Sequence, residues 1–326
     1  MPIVETSEAA TTLSWEHRRF DIVAIGEAMV EFNQTGGGHQ RNYLQGFGGD
    51  TSNAVIAAAR QGAKCAYFTK LGDDDFGRLC LDLWKTEGVD TSSVGIDASA
   101  HTGIYFVRHT PEGHSFSYMR ANSAASKIQP ADIPWQVIKN AKYLHVSGIS
   151  QAISASATQS VHAAILLARL HGTQVAYDPN LRLRLWSLEL AREVITQTIA
   201  LCDIFLPSLD DVQLVSQLES PTDIIAWCHQ AGAKTVVLKL SSQGSMVSDG
   251  RSCVAIDSFK VEPVDATGAG DCFDGSFLGR LAAGDDYVSA ATWVSAAAAL
   301  ATTGYGAVDP LPSFEQIRRF MDASYS

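Results

Sequence analysis

The stretch VDATGAGDCFDGSF, from Val264 to Phe277, combines a glycine-rich turn with the start of a helix. Such turns bind anions, because unpaired backbone N–H groups and the helix dipole both point at the negative charge. Asp271 stands at the junction, where a Walker loop would carry lysine. A carboxylate beside an anion site can orient a hydroxyl acceptor and remove its proton during phosphoryl transfer. The residues alone also allow a simpler interpretation, in which Asp271 only caps the helix.

Around this stretch, short apolar runs alternate with helical patterns over most of the chain. The strand candidates are near-continuous runs of Val, Ile, Leu and Tyr, as expected where helices cover both faces of a parallel sheet. Strands that alternate with helices form βαβ units, so the sequence predicts a doubly wound α/β fold with a mainly parallel sheet. The strand candidates are residues 21–26, 65–72, 143–148, 173–180, 203–208 and 235–241, and the helix candidates include 51–62, 76–88, 157–172 and 188–202.

Two segments interrupt this alternation and are expected to form a small β-sheet lid. Residues 29–47 carry β-type side chains around a GGG turn, and residues 102–120 alternate on both arms of a PEG turn. Neither segment offers a crossover helix, and the ligand cleft of a doubly wound fold lies beyond the carboxyl ends of its strands. We therefore expect residues 21–326 to form a single domain whose lid covers the cleft, after a flexible leader of residues 1–20.

The composition limits the partners of the protein. Its 326 residues are 46% hydrophobic and 18% charged, and the net charge of −11 argues against nucleic acid or an anionic membrane as the main partner. The uncharged run from Tyr287 to Val308 is mostly Ala, Ser and Thr, which is too weakly apolar for a membrane-spanning helix. The six cysteines show no metal-ligand spacing, so we expect reduced thiols and a cytoplasmic protein.

A second motif lies far upstream of the glycine-rich turn. The run GGDTSNAVIAAARQG occupies residues 48–62, and KLGDDDFG follows at 70–77. Together with VDATGAGDCFDGSF, these runs resemble the paired signatures of the ribokinase-like (PfkB) sugar kinases. The resemblance covers roughly residues 20–322 and extends to the order of strands and helices. It implies a ribokinase-like fold and ATP-dependent phosphorylation of a hydroxyl group.

The resemblance also implies roles for the residues of the glycine-rich turn. Asp271 resembles the catalytic base of the family. Gly268, Ala269 and Gly270 resemble its anion hole, and the two glycines would also contact the nucleotide. ATP and Mg²⁺ are implied as cofactors, and a monovalent cation is allowed, although the sequence leaves the need for it open.

A finer resemblance concerns the substrate. The runs FSYMRANSAA (116–125), HVSGIS (145–150) and DPNLRLRLW (178–186) are similar to the 2-keto-3-deoxygluconate kinase branch of the family. That sugar acid carries a carboxylate, which an acidic protein must meet with local positive charge. Arg120 and Arg182 are the candidates, because a guanidinium pairs with a carboxylate through two parallel hydrogen bonds. Taken without the resemblance, both arginines fit surface or salt-bridge positions.

Further residues match family positions around the sugar. Gly49 and Asn53 match positions that touch sugar hydroxyls, where glycine allows close backbone approach and asparagine both donates and accepts. Tyr105 and Tyr118 match aromatic positions of the lid. The alternatives are a glycine at a helix start, a polar helix residue and ordinary strand tyrosines.

The nucleotide side departs from the family pattern at one turn. LKLSSQGS (238–245) resembles the family turn K-x-G-x-x-G, in which Lys239 and Gly244 match but Ser241 replaces the first glycine. We expect Lys239, Ser241 and Gly244 to lie near the nucleotide.

The run PSLDD occupies the place of the family motif N-x-x-E, which is associated with the metal–phosphate end of ATP. Ser208 and Asp211 stand where Asn and Glu would be, so Ser208 is a candidate nucleotide contact. Asp211 is the candidate metal residue, because Mg²⁺ takes few protein carboxylates and keeps several waters. The run also fits a helix cap with acidic residues in its first turn.

These observations lead to one main hypothesis and two alternatives. The main hypothesis is an ATP-dependent kinase that phosphorylates the 6-hydroxyl of 2-keto-3-deoxygluconate, with Asp271 as base. The first alternative is a fructokinase or another neutral-sugar kinase of the same family, and the second is a non-catalytic sensor of sugar acids or nucleotides. A dinucleotide-dependent oxidoreductase is excluded, because DIVAIGEAMVEF lacks G-x-G-x-x-G after the first strand. We also expect a homo-oligomer, since pairing two lids would cover their partly apolar strands.

Overall fold

The main sheet of the protein contains eight strands in the order β14-β13-β12-β11-β10-β9-β1-β4. A computed structural model describes residues 14–35, 42–110 and 113–324. The strands are β1 (Phe20–Ile25), β2 (Met29–Gln34), β3 (Tyr43–Gly48), β4 (Cys65–Phe68), β5 (Lys70–Gly72), β6 (Gly95–Asp97), β7 (Gly103–Thr110), β8 (Gly113–Met119), β9 (Ala141–Ser147), β10 (Gln174–Asp178), β11 (Ile204–Phe205), β12 (Thr235–Lys239), β13 (Ser245–Ser248) and β14 (Cys253–Ile256).

Helices follow most of the parallel strands and connect them. They are α1 (Asp50–Arg60), α2 (Asp75–Thr86), α3 (Trp135–Ile138), α4 (Gly148–Ala152), α5 (Ala155–Leu170), α6 (Leu188–Ile199), α7 (Leu209–Ser216), α8 (Pro221–Gln230), α9 (Ala269–Ala283), α10 (Tyr287–Ala301) and α11 (Phe314–Ser324). Short 3₁₀ turns lie at Trp15–His17, Ala125–Lys127, Pro130–Asp132 and Ser241–Gln243.

The topology confirms the predicted doubly wound, mainly parallel sheet. Strands β4, β1, β9, β10, β11 and β12 pair in parallel. At the described edge, β13 pairs antiparallel with both β12 and β14. Each of the six strand candidates overlaps a strand of this sheet. The candidate at 65–72 divides at Thr69, because β5 leaves the main sheet and pairs with β6.

Two hydrophobic clusters occupy opposite faces of this sheet. In strand β1, Ile22 and Ala24 belong to one cluster, whereas Val23 and Ile25 belong to the other. Successive side chains of a strand point to opposite faces, so this division shows that helices cover both faces. A nearly continuous apolar strand is the sequence pattern that such double burial requires.

The two interrupting segments form the predicted second sheet. Its strand order is β3-β2-β7-β8, with β2 and β7 parallel and the outer pairs antiparallel. We call this sheet the lid. The GGG turn of the first segment and residues 111–112 of the PEG turn lie outside the described residues.

The last residues of the predicted leader belong to the fold. Arg18 is buried and donates to Thr173 Oγ1 at 2.6 Å and to the carbonyl of His171 at 2.9 Å, and Trp15 packs edge-on against Tyr143. Residues 1–13 lie outside the described part of the chain. Among the described helices, none combines the length and the apolar character needed to cross a membrane. The six cysteines are free thiols, and all but Cys253 are buried.

Candidate active site

The candidate site lies where the carboxyl ends of central strands meet the starts of two helices. Strand β10 ends at Asp178 and β12 ends at Lys239, while α1 begins at Asp50 and α9 begins at Ala269. The two helices pack against each other, so their first turns reach the same edge of the sheet. This edge is the usual ligand cleft of a doubly wound fold.

The glycine-rich turn is held in one conformation by Asp265 and by the segment around Ala307. Thr267 donates its backbone N–H to Asp265 Oδ1 at 2.9 Å, and the N–H of Gly306 donates to Asp265 Oδ2 at 3.0 Å. Gly268 has a φ of +78°, and a Cβ there would lie 2.8 Å from the carbonyl oxygen of Ala307. Glycine is therefore required. Because the first N–H groups of a helix lack intrahelical partners, this turn fits an anionic group such as a phosphate.

Asp271 lies half-buried in the first turn of α9, beside Asn53 of α1. Asn53 Nδ2 donates to Asp271 Oδ2 at 2.8 Å. Burial, followed by the negative charge of Asp50, raises the pKa of Asp271 to about 7 against the opposing effect of the Asn53 hydrogen bond. A carboxylate whose pKa lies near the working pH is well matched to accepting a proton from a hydroxyl. Two residues predicted from the opposite ends of the sequence are thus in contact.

A second buried carboxylate, that of Asp50, lies near Asp271 at the start of α1. The backbone N–H of Thr51 donates to Asp50 Oδ1 at 2.8 Å, and Asn180 Nδ2 donates to Asp50 Oδ2 at 3.3 Å. Burial raises the pKa of Asp50. Asp50 and Asn180 were not predicted from the sequence, although Asp50 directly follows Gly49 and Asn180 lies two positions before Arg182.

Lys239 lies buried between two further carboxylates. Its Nζ is 3.1 Å from Asp178 Oδ2 and 2.9 Å from each carboxylate oxygen of Asp274. A Cβ on Gly270 would lie 3.8 Å from Lys239 Nζ, so the ammonium group sits beside the glycine-rich turn. Lys239 was predicted as a site residue from the sequence, whereas the two aspartates were not. The signal for Asp274 is an acidic residue three positions after Asp271 on an otherwise apolar part of α9.

Arg120 follows strand β8 and forms an ion pair with the buried carboxylate of Glu27. Ser123 also donates its hydroxyl to Glu27. Within the described residues, the buried Nε of Arg120 has no hydrogen-bond partner, so donor capacity remains for a ligand. Glu27 was not named from sequence, and its place directly after the first strand is the only signal for it.

The two predicted lid tyrosines stack on each other. The ring centroids of Tyr105 and Tyr118 are 5.6 Å apart, with 27° between the planes. Tyr105 is buried and donates its hydroxyl to Glu31, whereas Tyr118 is 42% exposed. The guanidinium carbon of Arg120 lies 5.8 Å from the centroid of the Tyr118 ring, so the pair adjoins the arginine.

Gly49 is the N-cap of α1 and has a φ of +113°. A Cβ there would lie 2.3 Å from the carbonyl oxygen of Glu27 and 2.9 Å from Cα of Ala28. Its carbonyl oxygen accepts the N–H of Asn53 at 2.8 Å. Glycine is thus required for the close approach of the α1 start to the end of β1.

Arg182 is exposed and lies in the segment that follows β10. It donates to the carbonyl oxygen of Leu181 at 2.9 Å. Burial raises the pKa of Asp211, and the charge of Arg182 opposes this effect, which places the arginine near the candidate metal residue. Asp211 Oδ2 accepts the N–H of Leu181 at 3.0 Å, and Ser208 caps α7 by accepting the N–H of Asp211 at 3.4 Å.

In the turn after Lys239, Ser241 occupies the position of the first glycine of the family pattern. Ser241 adopts a φ of +53°, in the left-handed region where a glycine would be unstrained. Gly244 has a φ of +92°, and a Cβ there would lie 1.9 Å from the carbonyl oxygen of Ile256. Among the described residues, no cluster of His, Cys, Asp and Glu has the arrangement of a metal-ion site built from protein ligands alone.

The sequence matches the model of the pfkB family of carbohydrate kinases over residues 19–313. The chain is 34% identical to 2-dehydro-3-deoxygluconokinase of Thermoproteus tenax over 311 residues, which cover 93% of this chain and 94% of that protein. It is 30% identical to fructokinase-1 of Oryza sativa subsp. japonica over 318 residues, which cover 93% of this chain and 98% of that protein.

A solved structure of a putative ribokinase II from E. coli in complex with ATP and Mg²⁺ has the same fold. It superposes with a TM-score of 0.86 at 26% identity and covers 93% of this chain and 99% of that one. The predicted ribokinase-like fold and the predicted carbohydrate kinase family are both confirmed. The two linked signatures, the sheet order and these likenesses show that the chain belongs to the pfkB family of carbohydrate kinases and is a sugar kinase.

Proposed function

We propose that the protein transfers the γ-phosphoryl group of ATP to the 6-hydroxyl of 2-keto-3-deoxygluconate, which is also called 2-dehydro-3-deoxygluconate. The observation that carries the proposal is a carboxylate with a pKa of about 7, Asp271, at the mouth of a glycine-lined anion site. The 34% identity to the Thermoproteus tenax 2-dehydro-3-deoxygluconokinase supports the choice of sugar acid.

In the proposed reaction, Asp271 accepts the proton of the 6-hydroxyl. The hydroxyl oxygen forms a bond to the γ-phosphorus while the bond from that phosphorus to the β–γ bridging oxygen breaks, which releases ADP. The N–H groups of Gly268 and Gly270 would stabilise charge on the phosphoryl oxygens, which is the main contribution a protein makes to phosphoryl transfer. The N–H of Ala269, which donates to the carbonyl oxygen of Ala266 at 3.2 Å, would join them by exchanging that partner for a phosphoryl oxygen.

Mg²⁺ would neutralise phosphate charge in this reaction. Asp211 is the residue proposed to accept hydrogen bonds from the water molecules bound to Mg²⁺. The fit rests on a half-buried carboxylate that lies near the end of β10 and accepts a backbone N–H from Leu181. One carboxylate is consistent with a Mg²⁺ ion held mainly by phosphates and waters. Ser208, Ser241 and Gly244 would line the nucleotide, and dependence on a monovalent cation stays a prediction.

Arg120 and Arg182 would hold the carboxylate of the sugar acid. Arg120 supports this role because Glu27 fixes its guanidinium beside Tyr118 while its Nε remains available to a ligand. Gly49, Asn53 and Tyr105 would contact the rest of the sugar. The lid would exclude water, which is a competing acceptor.

A homo-oligomer formed through the lid also remains a proposal. Exposed apolar side chains on lid strands β3 and β8 support it, namely Tyr43, Leu44, Tyr118 and Met119. Light scattering after gel filtration would detect the assembly. A Leu44→Lys variant that dissociates it would support the lid as the interface, and a monomeric wild-type protein would contradict the proposal.

A coupled ADP-release assay over a sugar panel tests the proposed function. We expect turnover on 2-keto-3-deoxygluconate to exceed turnover on fructose and ribose by at least roughly tenfold in kcat/KM, since a buried charge-assisted contact contributes about 1.5–3 kcal/mol. Turnover on fructose or ribose without turnover on the sugar acid would overturn the substrate assignment.

A fructokinase is the second candidate, because the likeness to the Oryza sativa fructokinase covers nearly the whole chain. Fructose has no carboxylate, so a fructokinase would not depend on Arg120 and Arg182. A non-catalytic sensor is the third candidate, and binding of the sugar acid without ADP release would support it.

A further inference from the structure

Lys239 joins three elements of the site through one ammonium group. It projects from β12, contacts Asp178 at the end of β10, and contacts both oxygens of Asp274 on α9. The side chain of Lys239 is 11% exposed, and those of Asp178 and Asp274 are 7% and 1% exposed. Charges buried to this degree persist only when they are paired and hydrogen-bonded. We call these three residues the buried triad.

The pKa values of the two carboxylates of the triad shift in opposite directions. Burial raises the pKa of Asp274 well above its usual range, even though Lys239 lies beside it. Burial would also raise the pKa of Asp178, but Lys239 and a hydrogen bond from Asp274 hold it below its usual value. Lys239 thus faces two carboxylates that burial pushes toward the protonated form, and its positive charge opposes that effect at both.

The triad is close enough to influence the catalytic turn. Lys239 Nζ lies 3.8 Å from the place that a Cβ of Gly270 would occupy. Asp274 stands one helical turn after Asp271, so the contact with Lys239 also fixes the start of α9 against the sheet. The groups that influence Asp271 from the packed elements are Asp50 and Asn53 on α1, Asp178 on β10, Lys239 on β12, and Tyr105 on β7.

We propose that Lys239 is a positioning residue of the phosphoryl transfer and not a contact of the nucleotide. It fixes the first turn of α9 against strands β10 and β12, and its positive charge beside Gly270 offsets the negative charge of Asp178. A Walker lysine reaches the phosphates directly, whereas Lys239 acts from behind the backbone of the turn. The inference deepens the proposed function, because it takes Asp271 as the base.

Removal of the ammonium group tests this role. In Lys239→Met, a positive charge that lowers the pKa of Asp271 is lost, so this pKa should rise by about one unit, the low end of the effect of a nearby charge. We expect kcat to fall by roughly tenfold or more, since misplaced reacting groups lose rate. Lys234→Met is the matched control, because Lys234 pairs with Asp203 but is 69% exposed. The control should keep the wild-type values.

The pKa of Asp271 can be read by carboxyl ¹³C NMR, with its resonance assigned by loss in Asp271→Asn. This readout needs no turnover, so it remains informative if the proposed sugar acid is not the substrate. Asp178→Asn provides a second, nearly isosteric variant in case Lys239→Met does not fold. It should lower the pKa of Asp271, because it removes a negative charge and leaves Lys239 paired with Asp274.

Calorimetric titration with Mg²⁺ and ADP separates the two roles of Lys239. If Lys239 does not contact the nucleotide, the Kd for the nucleotide should change by less than about threefold in Lys239→Met. A tenfold weaker Kd with an unchanged pKa of Asp271 would overturn the inference and assign Lys239 to the nucleotide. An unchanged pKa of Asp271 in both Lys239→Met and Asp178→Asn would also overturn it.

Discussion

Asn53 Nδ2 donates a hydrogen bond to Asp271 Oδ2 at 2.8 Å, although the two residues are 218 positions apart in the chain. The contact depends on the close packing of α1 against α9. A Cβ on Gly275 of α9 would lie 1.8 Å from the carbonyl oxygen of Ala54 on α1, so glycine is what lets the helices approach. Each helix begins with one of the two sequence signatures, which explains why the signatures occur together.

The pH dependence of turnover follows from the pKa of Asp271. A base must be deprotonated to act, so kcat/KM should rise with pH through about 7 and reach a plateau above it. Asn53→Ala removes a hydrogen bond that lowers the pKa of Asp271, and the rise should move to higher pH by about half a unit. A pH profile of ADP release measures both effects. Asn140→Ala, at a turn remote from the site, should leave the profile unchanged, and a flat wild-type profile between pH 5 and 9 would refute the assignment.

Replacement of the base should lower activity but raise stability. Asp271→Asn should reduce kcat by roughly 10²–10⁴-fold, the range for a lost general base. The pKa of Asp271 is raised in the folded protein, so its contribution to stability is complete below the unfolded pKa near 4 and is lost as pH rises through about 7. At pH 8 the variant should therefore be more stable than the wild type by on the order of 2 kcal/mol, and at pH 4 by much less. Chemical denaturation at the two pH values measures the difference.

Arg120 should distinguish sugar acids from neutral sugars. We expect Arg120→Met to raise KM for the sugar acid by roughly 10–100-fold, the equivalent of one lost charge-assisted pair. KM for a neutral sugar should change little. Since Glu27 would be left buried without its partner, Arg120→Lys serves as a variant that retains the charge. Arg108→Met, at an exposed position on the same lid hairpin, is the control. Equal losses for both kinds of sugar would contradict the role.

Two variants can separate the cost of steric crowding at Gly268 from the cost of its positive φ. Gly268 and Gly284 both have positive φ, but a Cβ at Gly268 would meet Ala307, whereas a Cβ at Gly284 would have nothing within 4 Å. Gly284→Ala should thus cost only about 1–2 kcal/mol of backbone strain. Gly268→Ala should cost more and should also lower kcat. Equal losses of stability with normal turnover in both variants would show that the turn has no special constraint.

Ser241 provides a test of the altered family turn. Because Ser241 has a φ of +53°, Ser241→Gly should relieve strain and raise the free energy of unfolding by up to about 1 kcal/mol. Ser242→Gly in the same turn is the control and should not stabilise the protein. A destabilised Ser241→Gly would indicate that the serine side chain makes a contact that outweighs the strain.

Local patterns in the sequence were enough to predict the six parallel strands of the main sheet, the main helices and the lid, but not the antiparallel strands β13 and β14 or the β5–β6 pair. Strand β1 shows why, since its apolar residues fill clusters on both faces of the sheet. The two signatures also predicted that Asn53 and Asp271 belong to one site. This prediction came from the resemblance to the family and not from the periodicity of the sequence.

The charge network of the site could not be predicted in the same way. Lys239, Asp178 and Asp274 meet only because β12, β11 and β10 are neighbours and α9 packs over their ends. These contacts join residues 61 and 35 positions apart. A local sequence pattern contains no information about contacts between residues so far apart in the chain. The same holds for Glu27, whose partner Arg120 follows strand β8 of the lid.

The position of the transferred phosphate tests the central claim most directly. The purified protein would be incubated with ATP, Mg²⁺ and 2-keto-3-deoxygluconate, and the product examined by ³¹P–¹H correlation NMR. The account predicts a phosphate ester coupled to the two protons of C6, absent with Asp271→Asn. A phosphate at another position, or release of inorganic phosphate without any sugar ester, would contradict it.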